Sequence, residues 1–329
     1  MKRILITGAA GFIGFHLSDY LQKRGDFIIG LDNFNPYYNP QLKKDRAEIL
    51  QKQSIEILQA DIREKERLTQ LIHHHNITHV VHLAAQAGVR HSLTAPDDYV
   101  ASNLQGFVSI LEACRLFPGI KLIYASSSSV YGLNRKIPFS IDDKTDQPAN
   151  LYGATKKANE VMAHAYHHLY GLSVTALRYF TAYGPWGRPD MAYYRFARQI
   201  CDGQPIQVFN CGQMRRDFTY IDDIVRGTAA AIDLGAPCEI FNLGNNRPIE
   251  LLYLIQLLEK SLEKKAIQEL LPMQPGEVIE TFADIEKSQK LLHFYPSISI
   301  EEGIIRFAKW FKHYHATSSQ SERLLAGTR

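Results

Sequence analysis

"ITGAAGFIGFHL", residues Ile6 to Leu17, decides the fold of this chain. A short apolar run, Arg3–Thr7, leads into three glycines, Gly8, Gly11 and Gly14, and then into an amphipathic run, Phe12–Lys23. The pattern is strand, tight turn, helix. Glycine lets the backbone approach a ligand closely, and a helix N-terminus offers free amides and positive potential to a pyrophosphate. The following strand, FIIGLD (Phe27–Asp32), ends in an acid 18 positions after Gly14. A carboxylate there accepts both ribose hydroxyls and repels a 2′-phosphate, and "LDNFN" carries no Lys or Arg to welcome one. The turn therefore points to NAD rather than NADP, held by Gly8, Gly11, Phe12, Ile13, Gly14, Asp32 and Asn33.

Working outward, β-rich runs alternate with helical ones. Arg3–Thr7, Phe27–Asp32, Ile55–Gln59, His79–Ala84, Lys121–Ser126 and Val174–Tyr179 read as strands, most of them apolar on both faces, as buried parallel strands are. Phe12–Lys23, Glu64–His75, Asp97–Phe117 and Tyr152–Tyr170 read as helices. The alternation predicts an α/β fold, a Rossmann-type doubly wound parallel sheet. After Arg178 the rhythm breaks, which predicts a smaller, interleaved α/β substrate domain. The expected division is residues 1–180 for the cofactor domain, rejoined by segments near 215–245. Residues 181–214 and 246–313 make the substrate domain, and 314–329 a flexible tail.

The 329 residues are 45% hydrophobic and 22% charged, with a net charge of +3. So small an excess argues against a nucleic-acid partner, and an anionic ligand must be met by locally placed charges. No apolar run approaches the ~20 residues of a membrane span, and the first strand starts too early to leave room for a leader. A soluble, cytoplasmic protein is expected. The four cysteines have no metal spacing and read as buried, reduced thiols. His73–His75 read as a solvated helix end, so no metal is expected.

"YGATK" places Tyr152 and Lys156 on one helical face. A tyrosine with a pKa of about 10 is a poor base at neutral pH. A nearby ammonium favours the phenolate, which can then take a proton from a hydroxyl as hydride leaves the same carbon. "SSSSVYG" (Ser126–Gly132) precedes the pair, with Ser127 25 positions before Tyr152.

The GxxGxxG turn, the serine run and the YxxxK helix, in that order, resemble the short-chain dehydrogenase/reductase superfamily. The likeness is to its extended branch, which acts on nucleotide-diphosphate sugars, and it covers the chain to about residue 313. It implies that Ser127 hydrogen-bonds the reacting oxygen, with Ser128 a weaker candidate, and that Tyr152 and Lys156 are catalytic and also touch NAD. It implies adenine contact by Asp61 and Ile62, and a dinucleotide wall of Leu83, Ala84, Ala85 and Gln86, with Asn103 on the next helix. By itself Asp61 is as well explained as a turn residue, and Asn103 as a routine helix polar group. "MRRDFTYIDDI" implies that Arg216 binds the UDP diphosphate, and "IQVFN" that Val208 lies at the uracil edge. Gln274 stands where related galactose epimerases carry a second diphosphate-binding Arg. Arg90 faces either the substrate or a partner subunit. The family also implies a homodimer and a bound, recycled NAD.

Three features narrow the branch. Ser129 stands before "VYG", where dehydratases and decarboxylases of the branch usually carry an acid. Thr181 replaces the Asn of UDP-galactose 4-epimerases. "YGPWGRPDMA" and the insert "DNFNPYYNPQLKKDR" (Asp32–Arg46) are similar to UDP-glucuronate 4-epimerases. A planar guanidinium suits a sugar carboxylate, so Arg188 and Thr181 are candidates to hold one. Asp190 is equally available as a partner for Arg188. The expected activity is 4-epimerisation of UDP-glucuronate. Decarboxylation, epimerisation of a neutral UDP-sugar and a non-catalytic NAD sensor remain as rivals.

Overall fold

A computed structural model describes residues 1–273 and 278–326, with side chains through residue 316. Seven strands form the main sheet: β1 (Arg3–Thr7), β2 (Phe27–Asp32), β3 (Glu56–Gln59), β4 (His79–His82), β5 (Lys121–Ser127), β6 (Ser173–Tyr179) and, later in the chain, β10 (Cys238–Leu243). Their order is β10-β6-β5-β4-β1-β2-β3, and every pairing is parallel. Side chains alternate across a strand, so Ile4 and Ile6 enter one core while Leu5 enters the other. The first core takes α1 (Phe12–Lys23), α2 (Gln41–Lys52) and α9 (Ile221–Leu234); the second takes α3 (Lys65–His74), α6 (Gly106–Arg115) and α7 (Leu151–Tyr170).

The chain winds outward in both directions from the β1–β4 boundary, which opens a crevice at the carboxyl ends of these strands. Helix α1 can lie against β1 only because position 14 has no side chain. A Cβ at Gly14 would stand 2.1 Å from the Gly8 carbonyl oxygen. The expected helix over 97–117 is present as α5 (Pro96–Tyr99), a stretch of wider π-type turns over Val100–Gln105, and α6. Between β4 and α5 lies the single turn α4 (His91–Thr94).

The smaller part contains β7 (Thr181–Tyr183), α8 (Ala192–Cys201), β8 (Ile206–Phe209), β9 (Arg215–Tyr220), β11 (Pro248–Glu250), α10 (Leu251–Leu262), β12 (Gln268–Leu271), β13 (Glu280–Thr281), α11 (Glu286–Leu292) and α12 (Ile300–Ala326). Here the structure departs from the expected boundaries. β9 does not return to the main sheet; it pairs with β7, β11 and β13, and only α9 and β10 go back. The tail expected from residue 314 continues α12 through Ala326, and the Tyr314 ring packs 5.2 Å from those of Trp186 and Trp310. The insert after Asp32 folds into α2. Cys114 is buried, but Cys211 is exposed, because it sits at the surface in a left-handed turn.

A buried ionic network locks the strands beneath the crevice. Arg178 Nε and Nη2 each donate to Glu160 at 2.8 Å, and Nη1 donates to the Tyr131 hydroxyl at 3.0 Å. Ser126 donates to the same Glu160 at 2.6 Å, and Tyr131 donates to Asn242 at 2.7 Å. β5, β6, β10 and α7 are thereby fixed to one another. Glu160→Leu strands a buried guanidinium and should lower the unfolding free energy by about 3–5 kcal/mol. Glu160→Gln, which keeps the shape and one acceptor, should lose less. Urea unfolding at matched NAD occupancy measures both.

Candidate active site

A cleft of about 1060 Å³ runs across the carboxyl ends of the main sheet, more room than one small ligand needs. Gly8, Gly11, Phe12, Ile13, Gly14, Asp32, Asn33 and Ile62 border one end, and Leu83, Ala84, Ala85 and Gln86 face them across the β1–β4 boundary. Gly11 caps α1 with extended backbone, so the first-turn amides stay open to an anion. Asp32 is held in place by Ala10 N–H at 3.1 Å and Phe34 N–H at 2.9 Å, one on each carboxylate oxygen. Each oxygen keeps a lone pair for a hydroxyl. A dinucleotide fits this donor and acceptor set.

Ser127 is the last residue of β5, where extended backbone turns into a 3-10 turn. Its hydroxyl accepts Ser129 N–H at 3.1 Å, and its presence beside Tyr152 favours the phenolate there. Tyr152 and Lys156 come from the first turns of α7, whose start is set by Asn150 accepting Gly153 N–H at 2.9 Å. Lys156 Nζ donates to Ala125 O at 2.8 Å, two residues before Ser127 on the same strand. Burial raises the Tyr152 pKa above its ordinary value; Ser127 and the Arg188 charge pull it back, while Asp190 pushes it up. Burial lowers Lys156 to about 8. The two shifts run in opposite directions: burial brings Lys156 towards neutrality and favours the uncharged phenol at Tyr152.

The loop after β7 closes the far wall, where Thr181, Arg188, Asp190 and Arg216 border the cleft with Ser128. Trp186 has φ 58°, a costly conformation for a bulky side chain. At Gly187 a Cβ would overlap the Tyr193 hydroxyl, 1.8 Å away. Arg188 donates through Nε to Asp190 Oδ1 at 3.1 Å and through Nη2 to Oδ2 at 2.6 Å. Both readings of Arg188 meet here: it pairs with Asp190 and also borders the cleft.

Several expected contacts need correction. Asp61 is not among the residues that border the cleft; it accepts from Arg63 and, at 3.1 Å, from Nδ2 of Asn33, which does border it. Asn103 is buried behind the wall, exchanging bonds of 2.9 Å with the Gln86 backbone, so it shapes that loop without bordering the cleft. The Val208 side chain is wholly buried in the small β8–β12 sheet, and the Phe209 ring next to it lies 4.8 Å under the Arg90 guanidinium. Arg90 borders the cleft. Arg216 Nη1 donates to Arg215 O and Ile279 O, so its register comes from β9 and its neighbour. Gln274 lies outside the described residues. Sequence reasoning missed Tyr37, whose hydroxyl donates to Asp190 at 3.4 Å; the aromatic pair in the insert was its only signal. No cluster of metal-binding side chains occurs among the described residues, and no helix among them is long and apolar enough to cross a membrane.

Residues 4–244 match the model of the NAD dependent epimerase/dehydratase family. UDP-glucuronate 4-epimerase 4 of Arabidopsis thaliana is 48% identical over 331 residues, which cover 95% of this chain and 76% of the relative. The crystal structure of UDP-glucuronic acid 4-epimerase from Bacillus cereus, in complex with UDP-glucuronic acid and NAD, is similar with a TM-score of 0.89 and 36% identity, covering 95% and 99% of the two chains. UDP-glucose 4-epimerase of Thermotoga maritima, with UDP-glucose, gives 0.85 and 29%, covering 95% and 99%. The glycine turn, the Ser127–Tyr152–Lys156 arrangement and these likenesses agree: the chain belongs to the NAD dependent epimerase/dehydratase family.

Proposed function

We propose that this enzyme is an NAD-dependent 4-epimerase that interconverts UDP-glucuronate and UDP-galacturonate through a 4-keto intermediate. The observation that carries the reading is the placement of Arg188. Its Nε–Nη2 edge is taken by Asp190, and among the described residues no hydrogen-bond partner engages Nη1, on a guanidinium that borders the same cleft as Ser127 and Tyr152. A guanidinium gripped along one edge has a fixed plane and presents the other to a second carboxylate.

NAD, once bound against the glycine turn and Asp32, supplies reversible hydride acceptance from sugar C4. The chain's own residues handle the proton. Tyr152 takes it from the C4 hydroxyl, Ser127 donates a hydrogen bond to the developing carbonyl oxygen, and the Lys156 ammonium favours the phenolate. When hydride returns to the opposite face, Tyr152 gives the proton back, so there is no net redox change. The 4-keto sugar is a β-keto acid, which loses CO2 when its C5–carboxylate bond aligns with the carbonyl π system. Arg188 and Thr181 hold the carboxylate out of that alignment. Ser129, without an acidic group, offers no acid or base for elimination at C5. Arg216 and Arg90 supply positive charge for the UDP diphosphate.

The reading includes a cytoplasmic homodimer. Exposed Val108 on α6, Leu116 just past its end, and Val161, Leu169 and Tyr170 on α7 support apolar pairing of these helices. Light scattering behind size exclusion should give twice the 37.4 kDa chain mass, and Val161→Glu should shift it towards the monomer.

Purified protein incubated with UDP-glucuronate, without added NAD and followed by proton NMR, should yield UDP-galacturonate. UDP-xylose or a 4-keto pentose would show decarboxylation instead, and turnover only of UDP-glucose would show a neutral-sugar epimerase. Occupancy without turnover would mark a sensor. Arg188→Ala should raise KM for UDP-glucuronate by about 30-fold, as expected for losing a charged hydrogen bond worth about 2 kcal/mol, and should raise the yield of pentose. Lys156→Met should lower kcat near neutral pH by about 10²–10⁴-fold. Removing a positive charge raises the pKa of the nearby phenol, so the acid limb of its pH–rate profile should move to higher pH. A profile that stays in place would separate Lys156 from Tyr152 ionisation.

A further inference from the structure

Arg46, from α2, is fully buried. Nη1 donates to Ala10 O at 2.9 Å and to the Tyr38 hydroxyl at 3.0 Å, and Nη2 donates to Trp186 O at 2.6 Å and Gly187 O at 3.0 Å. Nε is buried with no hydrogen-bond partner, and among the described residues no carboxylate pairs with this guanidinium. A buried cation satisfied mainly by neutral oxygens is costly. Packing alone would be better served by an apolar side chain of the same volume.

The partners show what the group connects. Ala10 belongs to the turn that would carry the dinucleotide pyrophosphate. Trp186 and Gly187 immediately precede Arg188, and Trp186 has the left-handed backbone that aims the rest of the loop. The same loop is gripped from α1, where the His16 ring bonds Pro185 O at 2.9 Å. The turn and the loop are more than 170 residues apart in sequence, yet one planar group holds carbonyls from both.

We propose that Arg46 is a positioning residue that couples the cofactor turn to the substrate loop, so that NAD binding and the placement of Arg188 stabilise each other. Its role in sugar recognition rests on the reading of Arg188 given above. An anion on the turn sees positive charge from both the α1 N-terminus and the guanidinium behind the turn. Ordering the turn then orders the loop through the shared guanidinium, and the coupling is reciprocal.

The test uses hydrogen exchange with no sugar nucleotide present. Protein is stripped of NAD and reloaded, and peptides spanning residues 184–190 are followed by mass spectrometry. In the wild type, NAD should slow exchange in this segment about fivefold or more, the low end of ordinary coupling. Arg46→Lys keeps the charge but not the four-way fork; it should lose that protection and weaken NAD binding by about tenfold. Arg46→Met should do both more severely; if it does not fold, the lysine variant and the wild type decide. Wild-type exchange indifferent to NAD, or full protection and affinity in Arg46→Lys, would overturn the coupling. Failure of Arg188 to affect uronate kinetics would overturn only the carboxylate reading, because neither exchange nor NAD affinity depends on it.

Discussion

The close approach of α1 to the end of β1 is the constraint on which the rest of this molecule depends. The Gly8 carbonyl oxygen occupies the space where any side chain at position 14 would stand. That approach brings the first amides of α1 to the carboxyl edge of the sheet, at the boundary where the winding reverses. Only there do a free helix N-terminus, the acid at the end of β2 and the small residues after β4 face one cleft. The cofactor end is therefore largely a consequence of backbone packing, with Asp32 as its carboxylate.

The chemical centre depends on a second layer beneath it. Ser127 and Tyr152 come from different elements, and they border one cleft because β5 and α7 are joined beneath it by Glu160, which takes Arg178 from β6 and Ser126 from β5. A buried pair satisfied on both carboxylate oxygens tolerates little movement. Lys156 is fixed in the same way, by the Ala125 carbonyl on the strand that ends in Ser127. The energy of burying these polar groups is offset by their mutual bonds, and the geometry they fix sets the ionisation balance of Tyr152 and Lys156.

The loop on the far wall follows the same logic. Its Gly and Pro residues admit an unusual backbone path but do not specify it. Arg46, His16, Tyr193 and the rings of Trp310 and Tyr314 choose the path from outside. Asp190 then fixes the plane of Arg188. The Arg188 guanidinium is thus held through its neighbours' contacts rather than by its own flexible stem.

Local pattern by itself determined the parallel sheet, the glycine turn that opens α1 and the shared helix face of Tyr152 and Lys156. Each is written within a few residues: the apolar alternation of a strand, the glycines of a turn, the four-residue spacing of one helix face. The tertiary structure alone decided which polar groups pair. Asn103 holds the Gln86 backbone, Val208 is buried in a core, and Asp61 pairs with Arg63. It also decided that β9 belongs to the smaller sheet, that α12 runs on through Ala326, and that Arg46 joins Ala10 to Gly187. These outcomes turn on long-range competition among many equivalent donors, acceptors and apolar faces. Spacing along the chain carries no signal of which carbonyl or carboxylate will be nearest once the layers pack.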